Sequence, residues 1–301
     1  MKKYFIDPSL TQFKGQLHIH TTNSDGKLTQ KESLEAYKAR GYSFLAFTDH
    51  NKLTHGELRD GVLILSGIEM DHNIMEHGKR AAYHILGIDV DENTFVNPEK
   101  DTQKQIDAVK AAGGIAVVAH PAWSIISAEE IAVLENYDAV EVMNWVSEVY
   151  HDRGESSQQT DKLMSQGKVP LLFASDDVHY YERDFAGTAT VAVCDKLERK
   201  VITDAIKSGS MYATCGPEIK SLYAENGTLY LQCSEAEKVF FISDTFFTNY
   251  NESLRWHYAG ENPVTQAQYT PCKNDTHVRA VVVDKNGKKA WSNYIDINKI
   301  K

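Results

Sequence analysis

Leu17-His18-Ile19-His20-Thr21-Thr22-Asn23-Ser24-Asp25-Gly26 sets two imidazoles two residues apart behind a short apolar lead-in and closes in an Asp-Gly turn. Side chains on a strand alternate faces, so residues i and i+2 point the same way. His18 and His20 therefore project side by side and can close on one metal ion without distorting the backbone. An isolated His-x-His is ordinarily a pair of surface histidines on an edge strand. What gives this pair weight is the rest of the chain, where further His, Asp and Glu residues end apolar runs.

Those runs are strand-like at Gly15–His20, Phe44–Thr48, Val62–Ile68, Tyr83–Ile88, Ile115–Ala119, Ala139–Met143 and Val169–Ala174. Helix-like segments lie between several of them, at Gln30–Ala39, Asp101–Ala112, Ala128–Asn136 and Ser156–Gln166, with another at Arg199–Ser208. Within the second helix Ile106 and Val109 stand three apart, and Gly113-Gly114 supplies its stop. Alternation of buried strand and helix indicates a parallel sheet. At least seven strands in about 200 residues point to a barrel rather than an open sheet.

After Cys215-Gly216-Pro217 the pattern changes to short β-like runs, with Asn226-Gly227 and Asn286-Gly287 between pairs of them as hairpin signals. The chain is therefore expected to divide into a hydrolase barrel over residues 1–217 and a small antiparallel β domain over residues 218–301. The second part contains no ligand-like cluster.

Composition narrows the function classes. With 301 residues, 42% hydrophobic and 25% charged, the chain reads as an ordinary soluble globular protein. Its 32 basic and 42 acidic residues give a formal charge of -10 without long runs of either sign. That argues against an extended nucleic-acid surface, which needs a basic patch. It leaves room for a small anionic substrate held by metal ions. The N-terminal stretch has no apolar signal region, and no run approaches the roughly 18 apolar residues that span a bilayer. Four scattered cysteines, Cys194, Cys215, Cys233 and Cys272, read as reduced thiols in a cytoplasmic protein. Nothing in the pattern fixes an oligomeric state.

A parallel sheet or barrel gathers its chemistry at the C-terminal ends of its strands. Here the first strand ends in His18 and His20 with Asp25 beyond, the second in Asp49-His50, and the third in Glu69. The next carries His84, a later one ends in His120-Pro121, and Leu171–Ala174 runs into Ser175-Asp176-Asp177-Val178-His179. A single histidine or carboxylate after a strand is usually a hydrogen-bonded core residue or a helix cap. Six such cases on one sheet need a common explanation. Buried charges and imidazoles require partners, and a metal cluster supplies them to all at once.

These motifs, the HxH…SDG opening, Thr48-Asp49-His50, Gly67-Ile68-Glu69, His84-Ile85-Leu86-Gly87, Ala119-His120-Pro121 and the Asp177/His179 pair, resemble those of the polymerase-and-histidinol-phosphatase (PHP) superfamily. They occur in the family's order over about residues 15–180. The resemblance implies a distorted (β/α)7 TIM-like barrel binding two or three divalent ions at its C-terminal face. By that resemblance His18, His20, Glu69 and Asp177 would hold the first ion. Glu69 would bridge to a second, completed by His84 and His120, and Asp25, His50 and His179 would hold a third. Imidazole and carboxylate ligands without thiolate suit Zn, Mn or Fe.

The implied activity is phosphoester hydrolysis on a small phosphate ester, nucleotide or short oligonucleotide, through a metal-bridging hydroxide. Glu69, Asp177, His50 and His179 are its expected catalytic residues, with His50 or His179 helping the alkoxide leave. Two other readings stay open. Lys14–His18 and Tyr212–Pro217 resemble the subgroup that includes carbaryl-type hydrolases, for which the substrate would be a carboxylic ester or carbamate. A non-catalytic PHP module is the third, though the ligand set is intact. Asp49 and Asp176 are assigned supporting roles beside the ligands. Asn144 and Arg183 are candidate substrate contacts, whereas His55, His72, His77, His151, His257 and His277 fall in polar, loop-like stretches.

Overall fold

The apolar runs fold as buried strands, and the computed structural model, which describes residues 2–76, 79–98, 100–245 and 255–300, arranges them in three sheets. The largest has eleven strands. Its parallel part sets Phe44–Ala46 between Thr11–Gln16 and Val62–Leu65. Its antiparallel part runs from Thr11–Gln16 through Ala189–Cys194, Met211–Thr214, Lys289–Ser292 and His277–Val283 to Lys238–Ser243. A five-stranded sheet orders Leu171–Ser175, Ala139–Asn144, Ile115–Val118, Lys79–Ile88 and Gly67–Glu76. The third joins Lys3–Ile6 to Ile219–Glu225, Thr228–Ala236 and Val264–Tyr269.

The α/β class stands, but among the described residues no continuous ladder closes the sheets into a (β/α)7 barrel, and helices do not follow every strand. One cause is local. The run expected as a single strand over Val62–Ile68 breaks at Ser66, whose hydroxyl donates to the Val90 carbonyl at 2.8 Å. Gly67 then passes so close to the Phe47 carbonyl that a Cβ would lie 2.6 Å from that oxygen. From there the chain enters the other sheet. It also doubles back as a hairpin, pairing Gly67–Glu76 antiparallel with Lys79–Ile88, where strict alternation would place a helix crossover. His84 thus lies within an antiparallel strand, not at the C-terminal end of a parallel one. The two sheets meet through isolated parallel bridges, Ile19 with Val178 and His50 with Glu69.

Helix Gln30–Ala39 starts at Thr29, which forms a reciprocal capping box with Glu32. Thr102–Ala111 is capped by Asp101 and buries Ile106 and Val109. The segment expected to be helical to Asn136 stops at Ala132. Two short helices were not anticipated, Pro121–Ser124 and Trp145–His151. Their start signals are present, a proline in the first turn and an asparagine cap.

Asn226 and Gly227 both take positive φ and join Ile219–Glu225 to Thr228–Ala236 in an antiparallel hairpin. The large sheet runs across position 217: Met211–Thr214 pairs with Lys289–Ser292. Trp291 is buried in one cluster with Val142, Leu172 and Ala213. Among the described residues no helix is long and apolar enough to cross a membrane.

Candidate metal centre

Beyond the Thr11–Gln16 strand the chain stays extended through His20, tied to its neighbour by Asp177 N–H donating to His18 O at 3.0 Å and His20 N–H to Val178 O at 3.1 Å. Alternation then sorts the side chains. Leu17 and Ile19 are fully buried in separate hydrophobic clusters. His18 and His20 turn to the other side, their Nε2 atoms 3.2 Å apart. Asp49 anchors the following loop, accepting from Thr21 N–H and hydroxyl at 2.8 Å each and from the Ser24 hydroxyl at 2.9 Å. Gly26 is needed for this packing, since a Cβ there would lie 2.3 Å from the His20 carbonyl oxygen.

Glu69 is at the middle. Its Oε2 lies 3.3 Å from His18 Nε2, 3.1 Å from His20 Nε2 and 3.1 Å from His50 Nδ1. Its Oε1 lies 2.8 Å from His84 Nδ1 and 3.3 Å from His120 Nε2. Asp177 Oδ1 is 3.1 Å from both His18 Nε2 and His20 Nε2. Asp25 reaches the outer side of His20, and its Oδ2 faces His50 and His179 at 3.7 and 3.5 Å.

Among the described residues three groups therefore offer ligand atoms within 4.8 Å of one another: His18, His20, Glu69 and Asp177; His20, Asp25, His50 and His179; and His50, Glu69 and His84. His120 completes the nine expected residues through its contact with Glu69 Oε1. Both His120 and Asp177 have positive φ, 32° and 53°, a costly backbone state of the kind that collects at functional sites.

Glu69 Oε2, Asp177 Oδ1 and His50 Nδ1 are buried with no hydrogen-bond partner. Orphaned acceptors at such depth are rare and costly. They converge with imidazole lone pairs and no thiolate, a donor set that suits divalent cations of intermediate hardness. The electrostatics agree. Burial works to raise the Glu69 carboxyl, yet the His18 and His84 imidazoles outweigh it and hold that carboxyl well below its usual range. Burial would likewise lower His18, but Asp177, Glu69 and Glu141 push it up to about 10. The cluster carries a field waiting for positive charge.

Sequence reasoning passed over Glu141. This carboxylate is fully buried; its Oε1 accepts from His18 Nδ1 at 2.8 Å, and its Oε2 from His120 N–H and Asn144 Nδ2 at 2.9 Å each. The available signal was an acid inside the apolar strand Ala139–Asn144. Asn144 does not line the cleft. It caps helix Trp145–His151 and donates to Glu141 and to Asp177 Oδ2 at 3.1 Å. Asp176 ties down the next loop, accepting from the Ala186, Gly187 and Thr188 amides and the Tyr37 hydroxyl.

The ligand groups open into a cleft of about 550 Å³ that also touches Lys27, Trp123, Tyr150, His151 and Tyr180. Arg183 is exposed and does not line it, so the cation at the mouth is Lys27. His151, assigned to a polar loop, closes a helix facing the cleft. His77 lies outside the described residues.

Fold and site together set buried imidazole and carboxylate groups, of the kind that hold divalent ions, where two sheets meet. The PHP domain family model matches residues 16–194, and the chain belongs to that family. It is 26% identical over 203 residues to DNA polymerase/3'-5' exonuclease PolX of Bacillus subtilis, covering 58% of this chain and 35% of the relative. It is 40% identical over 83 residues to phosphoribosyl 1,2-cyclic phosphate 1,2-diphosphodiesterase of Eggerthella lenta, covering 25% of this chain and 30% of that one. The chain thus spans about a third of the length of the curated relatives it matches. Among solved structures, a two-domain Bacteroides vulgatus protein containing a predicted PHP-like metal-dependent phosphoesterase superposes with a TM-score of 0.52 at 13% identity, over 96% of each chain. That likeness speaks to the fold.

Proposed function

We infer that this chain is a metal-dependent phosphoesterase acting on a small phosphorylated substrate. The observation that carries the reading is the convergence of Glu69 Oε2, Asp177 Oδ1 and His50 Nδ1, all buried and unpartnered, on the facing nitrogens of His18 and His20. In this reading His18, His20, Glu69 and Asp177 hold one divalent ion, Glu69 with His84 and His120 a second, and Asp25, His50 and His179 a third. Zn, Mn and Fe all suit these donors. Such ions supply Lewis-acid polarisation of the phosphoryl oxygens and lower the pKa of water near them.

The chain's own groups set the stage for this chemistry. Glu141 accepts the Nδ1 proton of His18 and so leaves Nε2 as the free lone pair facing the site. His179 Nδ1 donates to the Asp177 carbonyl at 2.7 Å, which turns its Nε2 toward Asp25 and the cleft. Burial holds His50 below its ordinary range; burial also opposes charge on His179, but the Asp25 contact and the Asp177 charge raise it. Of the two, His179 is the better candidate to hold a proton at Nε2 for the departing alkoxide, a role open to it only where the third ion is absent, since that nitrogen cannot ligate and carry a proton at once.

The same reading treats the two sheets that meet at the ligands as a distorted barrel, residues 218–301 as an appended β unit, and the protein as cytoplasmic. Of the motifs suggesting a carbaryl-hydrolase-type subgroup, His18 belongs to the shared ligand set, whereas Lys14, Tyr212, Thr214, Cys215 and Gly216 line a separate cavity of about 320 Å³. They therefore add no support for carbamate or carboxylic ester over phosphate.

The test is hydrolysis of nitrophenyl phosphate and nitrophenyl acetate after Mn or Zn loading, with Glu69→Gln and Asp177→Asn beside the parent. Phosphate turnover that both substitutions abolish, together with metal content, is expected. Acetate turnover alone overturns the phosphoester reading, and full turnover without metal overturns the site.

A further inference from the structure

The cleft wall beyond the ligand groups is aromatic, and it runs as an arc between two of them. The Trp123 ring lies edge-on to His120 with centroids 4.9 Å apart, and 6.4 Å from His151. His151 and Tyr150 end the helix Trp145–His151, on which Val146 and Tyr150, four apart, share a face. Tyr150 meets Tyr180 edge-on at 5.6 Å, and Tyr180 lies 6.1 Å from His179. Tyr150 and Tyr180 are 40% and 47% exposed, so the arc presents ring surface to whatever enters. Charge is sparse here: Lys27 is the one lysine or arginine among the lining residues, and it lies 3.5 Å from Glu182 and 5.1 Å from the Tyr180 ring.

We propose that the alcohol released by this site carries a planar aromatic ring, seated against Tyr150, Tyr180 and Trp123 while its phosphate lies at the ligand groups. The inference rests on the phosphoester reading and adds the leaving-group class. Exposed aromatic side chains gain by stacking on flat π-faces, and ring surface is what the largest members of this wall present most of. A cavity of about 550 Å³ has room for a ring beside a phosphate. One partly neutralised lysine suits a substrate with little charge beyond that phosphate, rather than a polyanion.

The decisive comparison holds alcohol chemistry constant and changes shape. Metal-loaded protein is assayed with benzyl phosphate, cyclohexylmethyl phosphate and glycerol 2-phosphate, with a nucleoside 5'-monophosphate as a second source of a planar ring. Benzyl phosphate is expected to exceed cyclohexylmethyl phosphate about tenfold or more in kcat/KM, chiefly through KM. Tyr150→Ala and Tyr180→Ala should shrink that ratio, and the Tyr→Phe variants should keep it. Equal kcat/KM for the planar and puckered esters, or preference for glycerol 2-phosphate, overturns the inference while leaving the phosphoester reading intact. Failure to hydrolyse any of the four, with acetate ester cleaved, removes the underlying reading instead. Turnover of the nucleotide but not benzyl phosphate supports the planar class with a nucleobase as its source.

Discussion

Glu141 serves two candidate ligands with two oxygens, one on the His18 ring and one on the His120 backbone. Replacing it with Gln keeps the volume but removes the charge and places an NH2 against one of these donors. Metal affinity is expected to fall about 10- to 100-fold, the usual effect of losing a carboxylate behind a ligating histidine. Competition titration against a chromophoric chelator reads this directly, and unchanged affinity would show that Glu141 merely fills the core. The nine expected residues, which the structure brings together, were readable because all but Asp25 set a residue type that water normally claims in or just beyond an apolar run, and Asp25 closes the loop after His20. Glu141 was equally visible in AVEVMN, but a lone acid in a strand does not say which imidazole it will meet. Lys27 was obscured differently, because its place at the mouth depends on how the Asp25 loop folds back; there its N–H donates to the His179 carbonyl at 2.8 Å.

At the scale of elements, the loop from Thr21 to Gly26 is built to bring Asp25 beside His20. Its fit depends on glycine, since a Cβ at Gly26 would collide with the His20 carbonyl at 2.3 Å. Gly26→Ala should therefore cost about 1–3 kcal/mol of stability. It should also lower metal content at the Asp25 group before the buried Glu69 groups. Elemental analysis of the dialysed variant beside its thermal melt checks both, and loss of all metal together would contradict separate groups. Helices with a clear cap and apolar spacing, such as Gln30–Ala39, were legible to the residue. The break at Ser66-Gly67 was not, because Val62–Ile68 is uniformly apolar and only the approach to Phe47 and Val90 splits it. Nor was the long hairpin, since a buried antiparallel strand and a parallel one share the same composition.

For the molecule as a whole, the sheet that crosses position 217 ties the two halves into one structure. Deleting residues 218–301 removes one of the two strand partners of Met211–Thr214 and the buried Trp291. The truncated chain is expected to lose cooperative thermal unfolding, as read by near-ultraviolet circular dichroism.

The site's charges also set a pH dependence. In protein stripped of metal, Glu69 and Glu141 are held below 4.5 by their imidazole neighbours against the effect of burial. Their contribution is present above that value and lost as pH falls further. His18, raised to about 10 against burial, contributes fully below 6.5 and progressively less as pH rises toward 10. Metal-free protein should thus melt highest between about pH 4.5 and 6.5. Metal-loaded protein should shift its optimum upward, because imidazoles must shed protons to bind. Identical profiles in melting curves with and without chelator would refute this.

The candidate ligands are divided between the two sheets. His18, His20 and His50 follow strands of the large sheet, whereas Glu69, His84, His120 and Asp177 belong to or follow strands of the five-stranded one. The bridges Ile19 with Val178 and His50 with Glu69 sit beside them. An ion held there would act as a rivet through the seam: its binding energy would add to the few backbone bonds, such as Asp177 N–H to His18 O, that join the two layers at this point. The protein would then sense metal supply with its whole architecture, stiff when loaded and apt to part along one line when starved.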